Sequence, residues 1–176
     1  GNIDRYKALS YLRHLEAQGD AEHTVVRHTP RMRLDIYDAP SLHHTFFVSP
    51  SSDSMPPPQM AILADGEMSG TIFKAETLKE TFVMKATPQS LPYRLLAIRN
   101  TQPRDTQTRN TPRILLLGET GGSNIWLAGH YGPGEITVAQ ENEALLELLR
   151  GPLKDESGCI FTGEAFAGTR LRIEEQ

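Results

Sequence analysis

The feature that most constrains the fold is a hairpin pattern in the first half of the chain. Two apolar segments, QMAILA at 59–64 and EMSGTIFK at 67–74, flank the dipeptide Asp65-Gly66. This dipeptide tolerates the positive φ angles of a type I′ turn, which connects two antiparallel strands directly. The pattern therefore predicts an antiparallel hairpin over residues 59–74.

Other short apolar segments are also separated by turns rather than by helices. In RMRLDIY at 31–37 apolar and polar residues alternate, as in a strand with one buried face. SLHHTFFVS at 41–49 follows a turn at Asp38-Ala39-Pro40, so these two segments are expected to pair as a second hairpin. We expect further strands in TFVMKAT (81–87), YRLLAI (93–98), ILLL (114–117), IWLAGHY (125–131) and EITVA (135–139), and a last hairpin within 157–175.

Two segments show the residue spacing of amphipathic helices. Residues 3–18 place apolar side chains at steps of three or four, and Gly19 follows as a helix stop. Residues 140–150 combine a leucine-rich face with acidic residues near the N-terminal end, and Gly151-Pro152 ends the helix. The sequence therefore predicts one helix at the start of the chain and one near its C-terminus.

These elements together predict the α+β class. We expect a predominantly antiparallel sheet of about eight to ten short strands, strongly curved or closed into a partly open barrel, rather than a doubly wound sheet. With 176 residues the chain fits a single domain over 1–176, in which Gly1 is interpreted as a tag scar. Mobile loops are predicted at 49–58, which contains three consecutive prolines, and at 99–113, which contains no large apolar residue.

Composition limits the class of protein and its compartment. The chain is 38% hydrophobic and 23% charged, and it contains no apolar stretch long enough for a membrane span and no signal peptide. A single cysteine, Cys159, excludes an internal disulfide framework and cysteine-rich zinc sites. The net charge of −4 gives no general attraction to nucleic acid. The sequence therefore predicts a soluble, cytoplasmic protein without a membrane span.

The glycine-rich stretch GETGGSNIWLAGHYGPGE at 118–135 raises the question of a nucleotide site. An NTPase phosphate loop reads GxxxxGK, but Ser123 and Asn124 stand where the second glycine and the lysine are needed. The dinucleotide pattern GxGxxG is also incomplete. Phosphate-binding loops open a helix, whereas IWLAGHY is expected to be a strand. We therefore interpret the glycines as turns on either side of a buried strand.

Complete catalytic or metal-binding motifs are missing from the sequence. There is no GxSxG nucleophile elbow, the six histidines form no HExxH motif, and Cys159 has no neighbouring base. The sequence therefore predicts no catalytic residue, no metal and no cofactor.

Two groups of residues are candidates for binding. Guanidinium groups suit phosphates and acidic partners, so Arg99, Arg104, Arg109 and Arg113 are predicted to bind a partner or an anion. The arginine segment lacks the aromatic residues that stack on bases, so nucleic acid is not expected. Trp126 and His130 share a face of the expected strand and are possible ligand-facing residues.

The order of elements over 113–152 is strand, glycine turn, strand and an acidic, leucine-rich helix. It resembles pleckstrin-homology-like modules and the immunity proteins related to a yeast cell-wall regulator. No diagnostic motif accompanies the resemblance, and no residue role is transferred. We expect a non-enzymatic protein-interaction module of adaptor or immunity type, with a protein partner that the sequence does not identify. The alternatives are small-ligand binding in a lipocalin-like antiparallel barrel and an uncharacterised hydrolase.

Overall fold

Two β-sheets organise the part of the chain that the computed structural model describes, which covers residues 7–43, 54–101, 112–156 and 170–175. The first sheet is antiparallel, with β1 (Glu22–His28), β2 (Arg33–Ala39), β3 (Gln59–Ala64) and β4 (Glu67–Phe73) side by side in chain order. The second sheet is parallel, with β5 (Arg113–Leu117), β6 (Glu135–Gln140) and β7 (Arg170–Glu175) in that order. The helices are α1 (Ala8–Gln18), α2 (Leu91–Thr101), α3 (Ser123–Gly129) and α4 (Glu143–Arg150), with short 3₁₀ segments at Phe82–Ala86 and Pro88–Ser90.

The predicted hairpin over 59–74 is confirmed. β3 and β4 pair antiparallel up to Ala64 and Glu67, and Asp65 in the turn has a φ of 51°. β3 also pairs antiparallel with β2, so it lies inside the sheet. This central position explains why its side chains are buried almost without interruption.

Helix α1 confirms the N-terminal helix and covers one face of the antiparallel sheet. Its apolar stripe, Leu9, Leu12 and Leu15, is buried. The stripe packs against Tyr37 and Leu63 of the central strands. The helix ends at Gly19, as its left-handed backbone allows.

Helix α4 confirms the second predicted helix and covers the opposite face of the same sheet. Leu145, Leu148 and Leu149 pack against Leu34 and Ile62. The Oδ1 of Asn142 accepts a hydrogen bond from the backbone N–H of Leu145 at 3.2 Å, which caps the helix. Because both faces are covered, β2 is buried on both sides and not on one side as its alternation suggests.

The expectation of turns between all strands is wrong in the second half of the chain. IWLAGHY was expected to be a strand, but residues 123–129 form α3, which connects two parallel strands. Trp126, Leu127 and Ala128 are all fully buried, packed among Phe73 and Val138. A helix that is buried all round shows no apolar and polar alternation, so its sequence resembles that of a buried strand.

Two further strand predictions are wrong. Residues 82–86 within TFVMKAT form a 3₁₀ segment, and YRLLAI lies in α2. The leucines of α2 are largely exposed, and this segment belongs to neither of the two described sheets. Leucine, arginine and alanine favour a helix where no sheet neighbour competes. The α+β class therefore holds as a mixture of helices with an antiparallel four-stranded sheet and a parallel sheet, and the described strands form no closed barrel.

Strand β1 was not expected, and it takes the place beside β2 that SLHHTFFVS was expected to take. Residues 44–49 of that segment lie outside the described residues, as do Cys159 and most of the predicted C-terminal hairpin. Of the predicted mobile loops, 49–53 and 102–111 also lie outside them. Within the described part of the chain, no helix is both long and apolar enough to cross a membrane.

The packing of α1 predicts a stability difference between two of its neighbouring residues. Leu12 is fully buried, so Leu12→Ala should lower the free energy of unfolding by about 2–5 kcal/mol through lost contacts and a residual cavity. Tyr11 is 53% exposed, and Tyr11→Ala should change it by no more than about 0.5 kcal/mol. Urea unfolding followed by circular dichroism measures both. Equal losses for the two variants would contradict the position of α1 on the sheet.

Candidate functional site

A cleft with a volume of about 840 Å³ lies at the carboxyl ends of β5 and β6. In open sheets with parallel strands, ligands bind outside the carboxyl ends of the strands. One wall comes from the parallel sheet and the start of α4, and the other from the β1–β2 turn and β4 of the antiparallel sheet. The lining residues include Arg31, Met32, Ser69, Leu117, Gly118, Thr120, Gln140, Glu141, Asn142, Glu143 and Ala144.

The glycine loop, defined here as residues 118–122, joins β5 to α3 and forms the floor of the cleft. Thr120 Oγ1 donates a hydrogen bond to the carbonyl oxygen of Ser69 in β4 at 3.1 Å. A Cβ atom on Gly121 would overlap the carbonyl oxygen of Thr71, so only glycine allows this approach. Gly122 has a φ of 90° and forms an isolated bridge with Ile72. The loop is therefore fixed between the two sheets.

The side chain of Glu119 occupies the inside of the glycine loop and is 6% exposed. Its Oε1 accepts a hydrogen bond from the backbone N–H of Gly122 at 2.8 Å, and its Oε2 accepts one from Nδ2 of Asn124 at 2.7 Å. The backbone N–H groups of Ser123 and Asn124 also donate toward this carboxyl group. Burial raises the pKa of Glu119 above its ordinary value, against the opposing effect of these donors. The Glu119 side chain thus accepts hydrogen bonds from the backbone at the N-terminal end of α3.

Gln140 connects the glycine loop to the start of α4. Its Nε2 donates to the carbonyl oxygen of Glu119 at 2.7 Å, and its Oε1 accepts from the backbone N–H of Asn142 at 2.9 Å. Asn142 Nδ2 lies 3.2 Å from Sδ of Met32 in the β1–β2 turn. These contacts fix the two walls of the cleft relative to its floor.

The surface of the cleft combines acidic, neutral polar and apolar groups. Glu141 and Glu143 are exposed at the rim, and Arg31 is the basic residue among the described lining residues. Leu117, at the end of β5, is 73% exposed beside the cleft. An apolar ligand group that covered Leu117 would bury a side chain that the protein itself leaves open to solvent.

A second, smaller cavity of about 190 Å³ adjoins the cleft, and Ser69, Gly118 and Thr120 line both. Glu119 and Asn124 also line it, together with neutral residues that include Gln89. No lysine or arginine lies among the described residues of its wall.

The comparisons with known proteins give distant structural similarity. No protein-family model and no curated protein matches the chain. The chain is similar to spermidine synthase from Thermotoga maritima, with 16% sequence identity, a TM-score of 0.45, and coverage of 86% of this chain and 40% of that chain. It is also similar to a probable spermidine synthase from Corynebacterium glutamicum, with 13% identity, a TM-score of 0.43, and coverage of 88% and 45%. The chain thus spans less than half the length of these structures, and at such TM-scores its fold class rests on its own strand order.

The structure places the predicted arginines away from the cleft or outside the described part. Arg113 begins β5, at the opposite end of the strand from the cleft, and its side chain is 77% exposed. It forms an ion pair with Glu135 at 2.8 Å. Arg104 and Arg109 lie outside the described residues, and Arg99 belongs to α2 but its side chain is not described. Partner or anion binding by these arginines stays a prediction.

Trp126 and His130 line neither of the two cavities. Trp126 is fully buried in α3, within the core beneath the parallel sheet. His130 follows α3, and its Nε2 lies 3.1 Å from both Oγ1 and the carbonyl oxygen of Thr81. Burial lowers the pKa of His130, so the imidazole favours its neutral form.

Sequence reasoning missed Gln140 and Glu141, which line the cleft, and Glu119, which lines the smaller cavity beside it. A signal was present, because ILLL, a glycine loop, an apolar segment and EITVA are spaced as in a strand–helix–strand unit. Glu141 also follows Gly118 by 23 positions, near the spacing of the acidic residue that binds ribose in such units. The strand prediction for IWLAGHY concealed this signal.

The buried carboxyl group of Glu119 predicts a pH dependence of stability. Its pKa in the folded chain is raised above the ordinary 4.5, so in the range above pH 4.5 the folded state binds more protons than the unfolded state. The contribution of the raised pKa to the free energy of unfolding is fully present below pH 4.5, and it is lost as the pH rises through the folded-state pKa of Glu119. Glu119→Gln should remove this slope in urea unfolding measured from about pH 4.5 to 8. Glu143→Gln, which changes an exposed carboxyl group at the rim, should retain it; an unchanged slope in Glu119→Gln would contradict the assignment.

Proposed function

We propose that the cleft binds a small molecule of the nucleoside type, with a base and a ribose. The observation that carries the proposal is the strand, glycine loop, helix and strand unit from β5 to β6, which places the cleft at the carboxyl ends of two parallel strands. Units of this kind bind nucleotides and related ligands at that edge. The volume of about 840 Å³ lies within the usual range for small-ligand sites.

Glu141 is suited to the ribose of such a ligand. It directly follows β6, its side chain is exposed, and it lines the cleft. A carboxylate can accept hydrogen bonds from both vicinal hydroxyl groups of a ribose. Leu117 and Ala144 provide apolar contact for a planar base, while Ser69 and Thr120 provide neutral polar groups near it.

Binding of adenosine tests this proposal. Isothermal titration calorimetry should detect binding to the unmodified chain, and Glu141→Gln should raise the Kd about tenfold or more, because a hydrogen bond to a charged group contributes about 1.5–3 kcal/mol. Glu16→Gln is the matched control, since Glu16 is an exposed residue of α1, which lies on the other face of the antiparallel sheet. Absence of binding at millimolar adenosine, or an equal Kd for Glu141→Gln and the unmodified chain, would exclude this function.

Protein interaction, the function expected from the sequence, is a second candidate and has a specific feature in its support. Leu91, Leu95 and Ile98 are each more than half exposed and lie at positions i, i+4 and i+7 of α2, so they form one stripe. The helix carries Arg94 and Arg99 and no acidic residue. An amphipathic helix with an apolar stripe flanked by acidic residues matches both the shape and the charge of this surface.

A designed peptide tests the second candidate. A fluorescein-labelled helical peptide with leucines at i, i+4 and i+7 and flanking glutamates should bind, while the same peptide with lysines should bind at least tenfold more weakly. Leu95→Lys should abolish binding in fluorescence anisotropy, because it places a charge in the middle of the stripe. Tyr11→Lys alters another large exposed residue, on α1, and should have no effect. Equal binding of the two peptides would exclude an acidic amphipathic helix as the partner of α2.

A further inference from the structure

The backbone N–H groups at the start of α3 are already occupied within the chain. In nucleotide-binding units of this arrangement, the loop and the start of the following helix present such groups to a phosphate. Here the Glu119 carboxyl group accepts from Gly122 at 2.8 Å and receives the N–H groups of Ser123 and Asn124. An acidic side chain of the loop itself thus stands where a phosphate would be held.

The Glu119 side chain is held firmly in this position. Its carboxyl end is fixed by Gly122 and Asn124, and its backbone carbonyl oxygen is fixed by Gln140. Moving the carboxyl group out would break these hydrogen bonds and leave the buried N–H groups without an acceptor, at a considerable cost in free energy. The N–H groups of Gly122, Ser123 and Asn124 are therefore not free to hold a phosphate.

The charges around the two cavities also disfavour an anion. Glu141 and Glu143 stand at the rim of the cleft and Glu119 lines the smaller cavity, against the single described basic lining residue, Arg31. The lysine or arginine that usually accompanies bound phosphate is missing from the described walls of the smaller cavity.

We infer that Glu119 is a specificity-determining residue, which restricts the cleft to nucleosides without phosphate groups. The inference rests on the proposed nucleoside function and adds the class of ligand. It holds for either protonation state of Glu119, because the side chain fills the same space and its carbonyl oxygen accepts a hydrogen bond in both states.

The experiment compares adenosine with adenosine 5′-monophosphate by isothermal titration calorimetry at neutral pH. For the unmodified chain, the Kd of the monophosphate should exceed that of adenosine at least tenfold. Glu119→Ala vacates the backbone N–H groups and should reduce this ratio at least threefold. Glu119→Gln keeps the size of the side chain and one acceptor oxygen, but it removes the capacity for charge and the second acceptor, so it should reduce the ratio less than Glu119→Ala does. Glu143→Gln removes one acidic charge from the rim and leaves the donors at the start of α3 unchanged, so it should lower the ratio less than Glu119→Ala does.

The outcomes separate this inference from the function on which it rests. If the unmodified chain binds adenosine and binds the monophosphate equally or more tightly, the nucleoside function stands and the role of Glu119 is overturned. If Glu143→Gln lowers the ratio as much as Glu119→Ala does, the selectivity is a general effect of charge and the specific role is again overturned. If neither compound binds, both proposals fail. If a Glu119 variant does not fold, the Kd values of adenosine and its monophosphate for the unmodified chain still test the inference.

Discussion

The contact between the glycine loop and β4 is the constraint on which the site depends. Gly121 lies against the carbonyl group of Thr71, Gly122 bridges to Ile72, and Thr120 binds Ser69. A side chain at position 121 would separate the two backbones, and with them the two sheets. Because the sheets meet here, the β1–β2 turn and β4 form a wall opposite the carboxyl ends of β5 and β6, and a cleft of about 840 Å³ remains between them.

Such a close approach buries polar backbone groups of the loop. These groups form hydrogen bonds with the side chains of Glu119 and Gln140, and Gln140 in turn binds Asn142. Glu119 accepts from the start of α3, Gln140 connects the loop to the strand beside it, and Asn142 continues the chain of contacts to the cap of α4 and to Met32. The same groups that stabilise the loop thus define which polar atoms face the cleft. The selectivity proposed for Glu119 would therefore depend on the same hydrogen bonds that stabilise the loop.

The sequence predicted elements whose evidence is local. The 59–74 hairpin, α1, α4, β5 and β6 follow from turn residues and from residue periodicity, and the structure confirms them. The prediction from sequence failed where the burial of a helix depends on its tertiary contacts. Residues 125–129 of IWLAGHY are buried on all sides in α3, whereas the leucines of YRLLAI are exposed in α2, so neither helix turns an apolar face to the core and a polar face to solvent. The wrong assignment of α3 hid the parallel unit and with it the cleft, since Glu119 and Glu141 gain their positions only from the β5, α3 and β6 connection.

The two proposed functions use different regions of the parallel sheet and are compatible. The cleft lies where β5 ends, beside Leu117, whereas α2 packs near Pro112 and Ile114, where β5 begins. Glu141 and Glu143 line the cleft together with Arg31, whereas Arg94 belongs to α2 and Arg113 pairs with Glu135 where β5 begins. β5 is the rigid element common to both, since its full length pairs with β6. A partner bound to α2 therefore need not obstruct the cleft, because the two surfaces lie at opposite ends of this strand.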